Sequence, residues 1–141
     1  MSVPCSPKDK LEGILWLPRM LDKARKHGQG TLHEDYHPNL GKGHDERCCK
    51  FLKVRYADVV EQIDQGLTNS EMVDWCFENG RRPDEFDIEM WNAYISKLGT
   101  MDENQGFAEY VQKRKDAYGI SNRDDIVTFF HLIEKDEGRL D

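Results

Sequence analysis

The residues best suited to chemistry lie in a histidine-rich stretch, residues 31–49. Within it His33, Glu34 and His37 form an H-E-x-x-H string. On an α-helix the two histidines of such a string lie one turn apart and can share a zinc ion, while the glutamate takes a proton from metal-bound water. Three further residues have the chemistry to complete such a site: His44, Asp45 and Glu61. One function that the pattern predicts is therefore a zinc-dependent hydrolase.

The surroundings of the string argue against the helix that this chemistry needs. Pro38 directly follows His37 and pushes that residue toward extended backbone. Upstream, Gly28 and Gly30 leave room for only about one and a half helical turns. In an extended segment, Cα atoms four residues apart are separated by about 13 Å, too far for one ion. We therefore expect a solvent-exposed loop here and no bound metal.

The cysteines are better explained by packing than by ligation. Asp45 resembles the cap of a short helix, and this helix would place Cys48, Cys49 and Leu52 on its inward face. The four cysteines of the chain form no C-x-x-C pair. The first ten residues lack the layout of a signal peptide. We expect reduced thiols and a cytoplasmic protein.

Composition limits the classes of partner. The chain has 141 residues and a net charge of −7, with 38% hydrophobic and 33% charged residues. An acidic chain repels phosphate backbones, so a nucleic-acid partner is not expected. No apolar run approaches the roughly 20 residues that a membrane span needs, so a membrane partner is not expected either.

Apolar residues recur at helical spacing along most of the chain, and glycine or proline separates the repeats. This pattern predicts one all-α domain over residues 1–141, with about six short helices. Residues 1–15 are expected to be irregular, and residues 28–44 to form a long loop after the first helix. Two capping boxes are predicted, from Thr68 to Glu71 and from Ser121 to Asp124.

The most distinctive stretch is residues 17–25, LPRMLDKAR. Together with Gly30-Thr31, Tyr36, Asp45 and the DEGR sequence at residues 136–139, it resembles the bacterial family DUF5069 over nearly the whole chain. The resemblance implies a small helical bacterial protein with no assigned activity. The family pattern has no required histidine pair and carries aliphatic residues at the two adjacent cysteines, which argues further against metal.

Charged side chains of the same stretch suggest a binding site. On a helix Asp22 can reach Arg19, Arg25 and Lys26. These pairs can simply form a solvated face, worth roughly a few tenths of a kcal/mol. Alternatively, the arginines are bidentate donors for an anion, Asp22 orients them, and loop 28–44 forms a lid. The candidate ligand-binding residues are Arg19, Asp22, Arg25, Tyr36 and Asp45.

Three functions follow from the sequence, in order of preference. The first is a non-enzymatic module that binds a small anionic ligand or a protein partner near the first helix and loop 28–44. The second is the zinc-dependent hydrolase. The third is a structural, homo-oligomeric protein. The sequence identifies no catalytic residue and no cofactor, and it does not fix the oligomeric state.

Overall fold

The computed structural model describes residues 2–100 and 105–141, and the chain divides into two compact units, residues 1–91 and 92–141. The boundary between the units falls within one helix, labelled α5. In chain order the elements are β1 (Lys10–Leu11), β2 (Ile14–Leu15), α1 (Leu17–Gly28), a 3₁₀ helix (Glu34–Asn39), α2 (His44–Leu52), α3 (Tyr56–Asp64), α4 (Asn69–Asn79), α5 (Glu85–Lys97), α6 (Gln105–Ala117) and α7 (Phe129–Asp136).

The mostly helical structure confirms the predicted class, although details differ. The described residues contain seven α-helices and one 3₁₀ helix, where about six helices were expected. Segment 1–15 contains a two-stranded hairpin, and loop 28–44 contains the 3₁₀ helix. Within the described ranges, no helix combines the length and apolar character needed to cross a membrane. That residues 1–141 form one domain stays a prediction.

The hairpin leads the chain into α1. Its two turn residues, Glu12 and Gly13, both have positive φ (50° and 77°), as a two-residue hairpin turn of the I′ type requires. Two antiparallel pairs define its register: Lys10 with Leu15, and Leu11 with Ile14. Trp16 follows with φ of 75°. This left-handed backbone costs about 1–3 kcal/mol in a bulky residue, so contacts of the indole must offset it.

The first capping box forms as predicted at the start of α4. The Thr68 hydroxyl accepts from the Glu71 backbone N–H at 3.2 Å, and the Glu71 carboxylate accepts from the Thr68 N–H at 3.0 Å. The bonds from Thr68 hold the pKa of Glu71 below its ordinary value. The sequence rule therefore identified this helix start correctly.

Two other predicted caps are wrong. Helix α7 starts after Thr128, whose side chain accepts from the His131 N–H at 3.0 Å. The region of the predicted Ser121–Asp124 box instead forms turns, and Arg123 binds the carboxylate of Asp125 there at 2.8 Å.

Asp45 is not a cap either. The residue before α2 is Gly43, and Asp45 lies inside the first turn with its carboxylate buried. The buried groups that bind this carboxylate, described below, turn it away from the capping position.

Helix α1 has the most unusual buried face of the first unit. Its buried residues include two cations among apolar side chains: Leu17, Arg19, Met20, Leu21, Lys23 and Ala24. Cys48 and Cys49 of α2 are buried as predicted, and the Cys49 thiol contacts the sulfur of Met20 at 3.7 Å. Buried charged groups need hydrogen-bonding or oppositely charged partners, so Arg19 and Lys23 must find theirs among the groups packed around α1.

The second unit has its own small core. Val111 of α6 and Leu132 of α7 are buried together with Ile126, which lies between these two helices in the chain. Gly99 allows close packing here, since an added Cβ would lie 2.8 Å from the Val111 side chain. The predicted site residues all belong to the first unit.

Candidate functional site

A buried carboxylate, Asp45, joins α1, α2 and the preceding loop. One of its oxygens accepts from the Trp16 indole N–H at 2.8 Å. The other forms an ion pair with the Lys23 ammonium at 2.9 Å and accepts from the Gly41 N–H at 3.1 Å. The Asp45 side chain is 0% exposed. These bonds compensate the buried charge of the Asp45 carboxylate and attach the loop at Gly41 to α2. We call Asp45, Lys23 and Trp16 the Asp45 cluster.

The Trp16 indole is surrounded by polar groups on several sides. The Arg19 guanidinium lies 5.4 Å from its ring centroid and the Lys23 ammonium 5.1 Å away. The ring of His44 lies 4.7 Å from it, centroid to centroid. Cation–π attraction of this kind is worth about 2 kcal/mol or more when the groups are desolvated. Such contacts can hold Trp16 in its strained backbone conformation.

Arg19, which was predicted to donate hydrogen bonds to an anionic ligand, is buried. It is 3% exposed, donates to the backbone carbonyl of Cys5 at 2.9 Å and lies 5.8 Å from the Tyr36 ring centroid. Arg19 and Tyr36 are therefore brought together. Their contact is an internal one that attaches the 3₁₀ helix to α1.

Asp22 and Arg25 also bond within the protein. Asp22 accepts from the Lys26 ammonium at 2.8 Å, as predicted, and from the Cys5 N–H at 2.9 Å. Arg25 donates to the side-chain oxygen of Asn69 at 2.9 Å and reaches the Leu67 carbonyl at 3.4 Å. The distinctive stretch thus connects α1 to the N-terminal segment and to the start of α4. Ligand binding by these residues stays a prediction.

The two histidines of the H-E-x-x-H string point to different partners. His33 precedes the 3₁₀ helix, and its Nδ1 accepts from the Asp35 N–H at 3.1 Å. His37 lies 3.2 Å from the Leu32 carbonyl, and its ring contacts that of His27 at 4.7 Å between centroids. A 3₁₀ helix has three residues per turn, so residues four apart do not align. In the described part of the chain, no group of three histidine, cysteine or acidic side chains could hold a metal ion.

His44 and the buried cysteines are held in uncharged form by their surroundings. Burial, and then Arg47, Lys23 and Arg19, lower the pKa of His44 to about 3. Burial raises the pKa of the Cys76 thiol to about 11 and, with Asp45 nearby, that of Cys49 to about 12. Neutral thiols are poor nucleophiles and poor metal ligands, which agrees with the packing role predicted for cysteine.

A surface groove of about 420 Å³ lies beside the C-terminal part of α1 and runs along α3 from its first residue to its last. It is lined by three apolar side chains, one aromatic side chain, an imidazole, a carboxylate and a glycine: Ala24, Leu40, Val60, Tyr56, His27, Asp64 and Gly28. Ala24 is buried, and His27, Gly28 and Asp64 are exposed. An apolar groove bordered by a few polar groups is the usual form of a small-molecule site.

One wall of the groove is held in place by the Asp45 cluster. Gly41, with φ of 74°, packs so tightly on Tyr56 that an added Cβ would lie 2.7 Å from the aromatic ring. Its N–H binds Asp45, as described above. The adjacent Leu40 lines the groove. The buried cluster therefore positions a wall of the open groove.

Sequence reasoning missed both Lys23 and the groove. Lys23 was not among the candidate residues, because no local sequence pattern signals that a lysine pairs with a buried aspartate 22 positions later. Tyr56 and Val60 border open space because of how α3 packs against α1, which the sequence alone does not show. The glycines at 41 and 43 were the one available signal of a close approach.

These observations define a small, mostly helical protein with a buried charged cluster and a neighbouring groove. The family model of DUF5069, a domain of unknown function, matches residues 1–139. The chain therefore belongs to this family, as the resemblance of its sequence predicted. No curated protein matches the sequence significantly.

Proposed function

We propose that the chain is a binding module that takes a small molecule into the groove beside α1 and α3. The observation that carries this proposal is the groove itself, whose floor and walls are apolar and whose rim carries His27 and Asp64. The location agrees with the binding region expected from the sequence, near the first helix and loop 28–44. The volume is within the range of sites for drug-sized molecules.

The contacts of the arginines support the groove over the arginine stretch as the binding site. A guanidinium that recognises an anion must present its N–H groups to solvent or to a cleft. Arg19 is buried, and Arg25 binds Asn69 and Leu67. An anion at these positions would have to displace internal hydrogen bonds, whereas a ligand in the groove displaces only water.

The proposal is tested by filling the groove. Val60 is half-buried in the wall, so Val60→Trp should occupy much of the space. The matched control is Ala57→Trp, which adds the same indole to an exposed position of α3 outside the lining. Binding of 2-phenylethanol, a neutral probe with an apolar body, is measured from chemical-shift changes in the ¹⁵N-labelled full chain.

We expect saturable binding to the wild type and to Ala57→Trp, and loss of at least tenfold in affinity in Val60→Trp. The indole removes the space that the probe would occupy, so the loss should not depend on any change in stability. Equal binding by both variants, or no saturable binding to the wild type, would contradict the proposal.

A further inference from the structure

We infer that the ligand of this groove is an organic cation, a protonated amine carried on an apolar body. This inference rests on the binding function proposed above and specifies its chemistry. It also replaces the small anion that the arginine-rich stretch suggested.

The first support is the charge of the lining. Among the described residues that line the groove, Asp64 supplies a carboxylate, and neither lysine nor arginine is present to balance it. Burial, with Asp45 nearby, raises the pKa of Tyr56 well above its ordinary value, so the phenol stays neutral. The groove therefore presents a net negative charge to a ligand.

The second support is the direction of the helices. Helix α1 ends at Gly28 and α3 ends at Asp64. These two ends are adjacent, since a Cβ added to Gly28 would lie 3.0 Å from Oδ1 of Asp64. The C-terminal end of a helix carries a partial negative charge and favours cations. Two such ends and a carboxylate reinforce one another at the same rim.

The third support is that the neighbouring cationic side chains bond to groups outside the groove. Arg25 and Lys26 belong to the last turn of α1 and could have neutralised the rim. Arg25 instead binds Asn69 and Leu67, and Lys26 binds Asp22. None of these three partners lines the groove. The negative rim is thus left to attract a cation from solution.

The walls suit the rest of such a ligand. Ala24, Leu40 and Val60 offer apolar surface, and the Tyr56 ring can face an ammonium group through its negative π surface. A neutral imidazole has one acceptor nitrogen, so His27 can accept a hydrogen bond from an amine. A compact amine with one aromatic or aliphatic group combines these features.

The test uses three probes of similar shape and different charge with the full chain at about pH 8. They are 2-phenylethylammonium, neutral 2-phenylethanol and the anion 3-phenylpropanoate. Affinities come from ¹⁵N chemical-shift titrations of the wild type and of Asp64→Asn. The control Glu61→Gln removes the same charge from an exposed residue of α3 that does not line the groove.

We expect the cation to bind about three- to fivefold more tightly than the alcohol, as an exposed ion pair permits. The anion should bind most weakly. Asp64→Asn should remove the preference for the cation over the alcohol, while Glu61→Gln should keep this preference.

The remaining outcomes separate the two proposals. If all three probes bind equally and Val60→Trp abolishes their binding, the inference of a cationic ligand is wrong. The groove then remains a binding site. If 3-phenylpropanoate binds most tightly, the inference of a cationic ligand is also wrong. Absence of saturable binding by any probe would overturn the groove and, with it, this inference.

Discussion

Helix α1 has different chemistry at its two ends. Around Arg19 and Lys23 its charged side chains are buried and bonded to protein groups, whereas its last turn borders an open groove with His27 and Asp64 exposed. The first region resembles a binding site in sequence because it is rich in arginine and aspartate. The second resembles an ordinary helix end. The comparison shows that residue type alone did not reveal which polar groups are buried and which border the open groove.

The two regions are connected through loop 28–44. Gly41 binds Asp45 with its N–H and packs on Tyr56, and its neighbour Leu40 lines the groove. The buried cluster should therefore determine stability and the shape of the groove wall, while the exposed rim should determine affinity. Substitutions in the two regions are expected to separate these effects.

The largest expected effect comes from Asp45→Ala. The change leaves the buried ammonium of Lys23 and the indole N–H of Trp16 without their shared acceptor. Breaking a buried ion pair in this way costs about 3–5 kcal/mol of folding stability. Urea denaturation followed by circular dichroism measures the free energy of unfolding.

The adjacent residue supplies the control for this measurement. Glu46 is exposed and pairs with Lys50 at 3.5 Å on the surface of α2. Glu46→Ala should change stability by less than about 0.5 kcal/mol. If Asp45→Ala were as mild as Glu46→Ala, the Asp45 cluster would not stabilise the fold.

The next effect is a loss of stability in acid, caused by His44. Its folded-state pKa is lowered to about 3. The imidazole of the unfolded chain binds a proton below about pH 6.5. Between these values the unfolded state binds more protons, so stability falls as the pH falls, by up to about 1.4 kcal/mol per unit. Above this window the contribution is fully present.

His44→Gln should flatten this dependence, since an amide does not titrate. The measurement is urea denaturation at several values between about pH 4 and pH 7, where the unfolded-state imidazole titrates. Circular dichroism near neutral pH checks that the variant is folded. An unchanged slope in the variant would show that His44 is not the source of acid sensitivity.

A smaller effect is expected from Gly41→Ala, compared with Gly30→Ala. Both glycines have nearly the same φ, 74° and 73°, but only Gly41 has atoms within 4 Å of an added Cβ. Backbone strain costs about 1 kcal/mol in both variants. The contact with the Tyr56 ring should add about 1–2 kcal/mol at Gly41 alone. Equal losses in thermal or urea denaturation would show that Gly41 does not pack on Tyr56 as described.

The helices were predictable because their signals are local. Apolar spacing, the Thr68–Glu71 capping box and the inward positions of Cys48 and Cys49 each depend on residues within a turn or two of one another. The hairpin at residues 10–15 and the 3₁₀ helix were missed, because strands of two residues and a single 3₁₀ segment have almost no periodicity to detect.

The candidate site was harder to predict, because it is formed by residues that are far apart in the sequence. Lys23 and Asp45 are 22 positions apart, and the local rule instead predicted a surface network around Asp22. The pair of Asp22 with Lys26 followed that rule. The groove arises where α1 passes α3, and no short sequence pattern determines how two helices cross. The extended backbone expected at His37 was wrong, because His37 and Pro38 both lie in the 3₁₀ helix Glu34–Asn39.

The central claim is that the groove, and not the arginine-rich stretch, is the surface that binds a ligand. The most direct measurement maps ¹⁵N chemical-shift changes along the chain as 2-phenylethylammonium is added. We predict that the changes concentrate at Ala24, His27, Leu40 and Val60, and that they disappear in Val60→Trp. Changes centred on Arg19 and Arg25 that persist in Val60→Trp would contradict the account and restore the arginines as the binding site.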